Sequence, residues 1–206
     1  MIKPASSYNY QSSNRLDLQG WNGDAPILSN TISNTRPSVI FDVGVWKGQS
    51  TINMAKKCID LNIDCRVYAI DTFLGSTEHI VNDFPNYLLP KSYGYPSLYY
   101  TFLNNVICSG VADIVYPIPN TSDNAFHILK HFKINADLIH IDAAHEYDLV
   151  LRDMENYWQL LNPGGTMICD DYFNQWPGVV NAVNDFINKY QLVMSVEDSK
   201  AVIKKH

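Results

Sequence analysis

The 206-residue chain is expected to fold as an α/β domain: a Rossmann-like, doubly wound, mostly parallel seven-stranded sheet with helices on both faces. Three observations lead there. From Pro37 onward, short apolar runs rich in β-branched residues alternate with segments of helical period. Carboxylates close several of the runs, at Asp71, Asp142 and the Asp170-Asp171 pair. The connections are long enough to hold crossover helices, which neighbouring parallel strands require.

Taken in order, residues 1–35 are rich in Ser, Asn and Gln, with Tyr8, Tyr10 and Trp21 scattered among them. They read as an irregular N-terminal arm, docked on the domain or on a second subunit of a homodimer, with disorder as the competing reading. The domain proper covers 36–206. Val39 to Val43 is a strand, Ser50 to Leu61 a helix with Ile52, Ala55 and Ile59 on one face, and Arg66 to Ile70 a second strand. Ile114 to Ile118 is a third strand, whose Pro117 suits a sheet edge. A helix through Asn124 to His131 leads to the strand that ends at Asp142. From Tyr147 to Leu161, Val150, Met154, Tyr157 and Leu161 fall at helical spacing, and Asn162-Pro163-Gly164-Gly165 stops that helix before the strand ending at Asp170-Asp171. A last helix near Val179 to Tyr190 precedes strand-like runs at Leu192 to Val196 and Ala201 to Ile203. Residues 73–102 interrupt the rhythm with Phe84, Tyr87, Tyr93, Tyr95, Tyr99, Tyr100 and Phe102. They read as an insertion that is either a satellite core under a long loop or an aromatic lid over a pocket.

Composition narrows the function. A net charge of −6 and no Lys/Arg run longer than the pairs Lys56-Lys57 and Lys204-Lys205 argue against nucleic acid as a partner. No apolar run approaches the ~20 residues of a membrane span, and the polar N-terminus is unlike a signal sequence, so a soluble, cytoplasmic protein is expected. Cys58, Cys65, Cys108 and Cys169 form no C-x-x-C pair and read as reduced, mostly buried thiols.

The turn Asp42-Val43-Gly44-Val45-Trp46-Lys47-Gly48-Gln49-Ser50-Thr51 joins the first strand to the first helix. Gly44 permits close backbone approach, Gly48 lets the helix start near a ligand, and Ser50 or Thr51 offers a hydroxyl or cap. Two glycines four apart, with an acid two before the first, suit a cofactor carrying an amino-acid moiety whose ammonium rests near Asp42. They do not form the G-x-G-x-x-G loop of a dinucleotide site. Asp71, followed by Thr72, can accept both hydroxyls of a ribose, although an NAD enzyme would use it equally well. Asp142, Asp170 and Asp171 close two neighbouring parallel strands about 4.8 Å apart, within reach of one hard cation. All-oxygen ligation suggests magnesium, or manganese. His145 follows Asp142 by one loop and can act as a base, whereas His140, inside the strand, reads as a packed or hydrogen-bonded sheet residue. Glu146 and Asp153 read as solvated charges.

In this order, the loop from Asp42 to Thr51, Ile70-Asp71-Thr72-Phe73, Ile141-Asp142-Ala143-Ala144-His145-Glu146-Tyr147, Leu161 to Gly165 and Asp170-Asp171-Tyr172 closely resemble the class I S-adenosylmethionine-dependent methyltransferases. Within them, the chain is most similar to the metal-dependent sugar O-methyltransferases of the macrocin and mycinamicin type, over about residues 37 to 190. The resemblance implies one antiparallel strand near the C-terminal edge of the sheet. It implies S-adenosylmethionine on the first loop and Asp71, with Asn120 to Ser122 near the adenine. It further implies magnesium on Asp142, Asp170 and Asp171, His145 as base, and a small-molecule acceptor such as a sugar or glycoside. The arm and residues 73–102 match no motif, which leaves the acceptor open. A catechol-type O-methyltransferase would use the same carboxylates. An NAD-dependent oxidoreductase is disfavoured by Trp46 and Lys47 in the first loop, and an inactive binding subunit would not need three carboxylates facing a cofactor pocket.

Overall fold

The computed structural model describes residues 8–13, 15–81 and 89–206; Ser6, Ser7, Asn14, Phe84 and Tyr87 lie outside the described residues. Five parallel strands form the centre of the sheet: β1 (Val39–Val43), β2 (Arg66–Asp71), β5 (Val115–Pro119), β6 (Ala136–Ile141) and β7 (Leu161–Cys169). A C-terminal hairpin of β8 (Met194–Glu197) and β9 (Lys200–Lys204) extends it through an antiparallel β7–β9 pairing. The strand order is β5-β2-β1-β6-β7-β9-β8, so the seven-stranded sheet with one antiparallel strand near its edge is as expected, and Pro117 lies on an edge strand. The order reverses between β1 and β6. Crossovers leave that point in opposite directions and open a crevice at the carboxyl ends of the strands, where ligands of such sheets bind.

Both sheet faces are covered. Helices α1 (Pro26–Thr35), α2 (Gln49–Asp60) and α4 (Leu98–Cys108) pack on one face through Ile32, Met54, Ala55, Leu98, Phe102 and Val106. On the other, α5 (Ser122–His131), α6 (Tyr147–Leu160) and α7 (Pro177–Tyr190) pack through Phe126, Met154, Tyr157, Val183 and Phe186. Strands covered on both faces read as continuous apolar runs rather than alternating ones, which is the pattern of Ile139, Ile141, Met167 and Ile168.

Two helices depart from the sequence expectation. The arm contains α1, which starts at Pro26 and buries Ile27, Leu28 and Ile32; its Ser and Asn content masks the period. The aromatic segment runs into α4, where Leu98, Phe102, Leu103 and Val106 are buried together with the polar Asn104 and Asn105. Those asparagines break the apolar period because they clamp the arm. Asn104 Oδ1 accepts from Ser12 and Ser13, while the Asn105 side chain bonds the backbone of Asp17 and the carbonyl of Lys47. Tyr8 adds a bond from its hydroxyl to the Val115 carbonyl. Between β2 and α4 lie a short helix, α3 (Glu78–Val81), and a two-stranded hairpin, β3 (Lys91–Ser92) with β4 (Tyr95–Pro96). Phe73 and Phe102 meet in the core at 5.1 Å, whereas Tyr93 and Tyr95 are exposed. All four cysteines are free, and no helix among the described residues is long and apolar enough to cross a membrane.

Candidate active site

A cleft of about 670 Å³ opens at the carboxyl ends of β1, β2, β6 and β7. It brings together Gly44, Val45, Trp46, Ser50, Asp71, Thr72, Asn120, Ser122, Asp142, His145 and Asp171 of the residues named from sequence. Asp42, Gly48 and Asp170 do not line it, and each has a physical reason.

Asp42 is fully buried at the β1 end. Its Oδ2 accepts the hydroxyls of Ser50 (2.8 Å) and Thr51 (2.5 Å), and its Oδ1 meets His140 Nδ1 at 2.8 Å. A carboxylate so enclosed ties the first strand to the first helix and does not reach a ligand's ammonium, so the expected contact is corrected to a structural one. Hydrogen bonds to a charged acceptor of this kind stabilise by roughly 1.5–3 kcal/mol each. Gly48 caps α2 in the left-handed region (φ 92°), and a Cβ there would meet the Phe102 ring at 2.9 Å, so its smallness serves core packing. Gly44 (φ 85°) does what its position suggests. A Cβ would sit 2.0 Å from the Asp142 carbonyl oxygen, so only glycine lets the first loop pass over the end of β6.

Asp71 organises that loop. Its Oδ2 accepts the backbone N–H groups of Val45 (2.9 Å) and Trp46 (3.0 Å), and its Oδ1 accepts that of Phe73 (2.7 Å). Burial raises its pKa against these three bonds. A carboxylate has about four lone-pair sites, so acceptance from a ribose remains open to it. Trp46 is held in the left-handed region (φ 49°), stacks on His79 at 4.2 Å and donates its indole N–H to Gln19 of the arm. His79 is thereby a wall of the cleft, as are Gly20, Trp21 and Gly23 of the arm.

At the far side of the first loop, Asn120 is anchored by its N–H to the Asp71 carbonyl, and Ser122 donates to Asp153 at 2.6 Å. Asp153, expected to be solvated, is instead buried beneath this corner of the cleft, and burial pushes its pKa up to about 6. The signal was available in the sequence: Asp153 stands one turn before Tyr157, on the buried stripe of α6.

The β6 and β7 ends supply the titratable groups. Asp142, His145 and Asp171 place one ligand atom each within 4.8 Å of the others. His145 Nε2 lies 2.8 Å from Asp171 Oδ2, and the imidazole stacks on Trp176 at 3.8 Å with an interplanar angle of 17°. Asp171 adopts φ 58°, a left-handed conformation that Asp tolerates better than most residues and that departs from the strand conformation of the preceding residues. Burial raises the pKa of Asp142 well above the ordinary value, and the charges of Asp170 and Asp171 add to the effect. Trp176 went unnamed in the sequence because its partner is set by the start of α7, far along the chain.

Asp170 belongs to a second such group, with Asp142 and His140, whose ligand atoms also lie within 4.8 Å of one another, but it is held by other partners. Its Oδ2 is ion-paired with Lys200, its Oδ1 accepts the Asp171 N–H at 2.7 Å, and His140 Nε2 stands 3.5 Å from Oδ2, too far for a good hydrogen bond. Burial opposes its charge, but His140 and Lys200 outweigh that and hold its pKa below the ordinary carboxylate value. His140 is fully buried. Burial alone would lower its pKa, but Asp170 and Asp42 raise it to about 10, and it is a hydrogen-bonded sheet residue as expected, set between two carboxylates. A hard divalent cation fits the donor set of Asp142, His145 and Asp171, and the repulsion of Asp170 and Asp171 on Asp142, which His140 and Lys200 offset in part, favours one there. The expected trio of Asp142, Asp170 and Asp171 is not presented as such.

Comparison with known proteins adds the family. The fold is similar to the O-methyltransferase NovP (TM-score 0.67, 17% identity, 89% of this chain and 78% of that one). It is also similar to the calicheamicin methyltransferase CalS11 (0.62, 17%, 87% and 76%) and to an O-methyltransferase from Bacillus cereus solved with SAH (0.60, 16%, 98% and 87%). At these identities the likeness is one of fold. A protein of Acanthamoeba polyphaga mimivirus is 35% identical over 68 residues, 32% of this chain and 31% of that protein, so the chain matches less than a third of that relative's length. Residues 41–172 match the methyltransferase domain, a span running from β1 through the first loop, Asp71 and His145 to the residue after Asp171, and the chain belongs to that family.

Proposed function

We propose that the protein is an S-adenosylmethionine-dependent O-methyltransferase that moves a methyl group to a hydroxyl of a small molecule, with a sugar or glycoside as the favoured acceptor. The observation that carries this reading is the Asp171–His145 pair at 2.8 Å, facing the glycine loop across one cleft. S-adenosylmethionine fits the cradle under Gly44, and when bound it supplies the electrophilic methyl group. Asp71 and Trp46 hold the loop on which its ribose and amino-acid ends would rest, and Asn120, Ser122 and the buried Asp153 form the wall expected for the adenine.

On the acceptor side, a neutral alcohol is a poor nucleophile, so its proton must be taken as the new bond forms. His145 is the group suited to accept it. Asp171 fixes the imidazole orientation and stabilises the imidazolium, in the manner of a carboxylate behind a catalytic histidine, and Trp176 fixes the ring plane. A magnesium or manganese ion would be held by Asp142, His145 and Asp171, where it would supply positive charge that lowers the pKa of the acceptor hydroxyl, with His145 then a ligand and solvent taking the proton. The choice of a sugar is supported by the structural relative CalS11, a TDP-rhamnose 3'-O-methyltransferase, and by exposed polar and aromatic groups at the mouth, including Trp21, Phe173 and Gln175.

Titration calorimetry with S-adenosylmethionine, followed by a screen of nucleotide sugars, glycosides and catechols for transfer of an isotopically labelled methyl group, tests the assignment. Micromolar donor binding and a methylated sugar are expected. A protein that binds no methyl donor is not this enzyme, and preferential labelling of catechols moves the acceptor class.

A further inference from the structure

Lys200 is a lysine with no exposed surface, on a strand the expected mechanism does not use. Its position follows from register. Cys169 pairs with Ala201 across the antiparallel β7–β9 ladder, which sets Lys200 opposite Asp170. A buried ammonium is tolerated only when paired, and its Nζ bonds Asp170 Oδ2. His140 and Asp42 continue the chain of contacts, His140 Nδ1 lying 2.8 Å from Asp42 Oδ1 and Nε2 3.5 Å from Asp170 Oδ2, so a buried polar row of Asp42, His140, Asp170 and Lys200 crosses the sheet beneath the cleft floor. Asp170 Oδ2 is engaged by Lys200 and Oδ1 by the Asp171 N–H, and a metal ion approaching Oδ2 would have to displace a fully buried ammonium.

We propose that Lys200 is a tethered cation occupying the Asp170 side of the acidic cluster, so that a divalent ion is held by Asp142, His145 and Asp171 without Asp170. Lys200 is then a positioning residue. It supplies one positive charge permanently, and the ion that completes the cluster binds with fewer carboxylates and lower affinity. The inference deepens the proposed function, but the ion test stands apart from it.

Manganese binding to the full chain is measured by calorimetry for wild type, Lys200→Met and the double variant Asp170→Asn with Lys200→Met. Freeing Asp170 in Lys200→Met should tighten Mn2+ binding on the order of tenfold, since ligand charge sets affinity at such sites. The double variant removes the buried pair together, the change such pairs tolerate best, and should keep wild-type affinity. Lys200→Met leaves a buried carboxylate unpaired. If it fails to fold, the double variant, its fold checked by circular dichroism, decides alone. A tenfold loss of Mn2+ affinity in the double variant makes Asp170 a ligand in the native protein and overturns the proposal; so does a Lys200→Met protein that binds Mn2+ no tighter than wild type, or no binding by any of the three. S-adenosylmethionine binding in the same preparations reports separately on the methyltransferase reading, which can fail while the ion result stands.

Discussion

On the β1–β2 side of the cleft, the shape that meets a ligand is made of backbone: the Gly44 to Trp46 loop, strapped down by two N–H bonds, from Val45 and Trp46, to Asp71. On the β6–β7 side it is made of side chains, with Asp142, His145 and Asp171 converging and Trp176 behind the imidazole. The first construction presents the same shape whatever most of its side chains are, and is suited to a donor that does not vary. The second depends on the chemistry of individual groups and on contacts between distant segments, and is suited to a reacting centre. Substitutions should therefore divide by side: those on the first should act through geometry, those on the second through rate.

The largest effect is expected at His145. Removing a general base costs about 10²–10⁴-fold in rate, so His145→Ala should lower single-turnover methyl transfer by that order while calorimetric donor affinity stays at the wild-type value, because the glycine loop is untouched. Donor affinity that falls in step with rate would break the division between the two sides.

Gly44 is where the sides touch, and Gly44→Ala should act on both. Its Cβ would lie 2.0 Å from the Asp142 carbonyl oxygen and 2.5 Å from Ala143 Cα, in a left-handed conformation. The loop and the β6 end must separate, and a shift of about 1 Å at a reacting centre can cost on the order of 10²-fold. Donor affinity and turnover should both fall by roughly tenfold or more, with strain of order 1–3 kcal/mol also lowering the melting temperature. A variant that loses turnover alone would show that the loop bends without disturbing the donor.

The same division explains what could be seen in the sequence. The backbone-built half was legible because its constraints are local: a strand, two glycines and an acid after the next strand spell out a loop whatever surrounds them. The parallel sheet was legible for the same reason, each strand being an unbroken apolar run. Asp142, His145 and Asp171 were legible as strand-end polar groups, but their division of labour was not. Whether Asp170 joins Asp171 at the cleft or faces Lys200 is fixed by the β7–β9 register, thirty residues of chain away. Trp176 is hidden likewise, behind a helix start. Helix α4 escaped because Asn104 and Asn105 spend its buried face on the arm rather than on the core, which disguises the apolar period.

The smallest effect sharpens the comparison, because it puts a titrating side chain under the backbone-built half. Asp153 is buried beneath Ser122 with its pKa raised by burial to about 6. A raised carboxyl binds its proton more tightly in the folded than in the unfolded chain. Its contribution to stability is therefore fully present below the unfolded value near 3.9 and is lost as pH rises through about 6. At one pKa unit per 1.36 kcal/mol, the loss amounts to at most about 3 kcal/mol. Asp153→Asn keeps an acceptor for the Ser122 hydroxyl without a charge to bury. The difference in unfolding free energy between variant and wild type should be near zero at pH 4 and should grow in the variant's favour up to pH 7, as followed by urea titration at each pH. Parallel stability curves would mean that water reaches the Asp153 carboxylate, and that the floor under Asn120 and Ser122 is wet rather than dry.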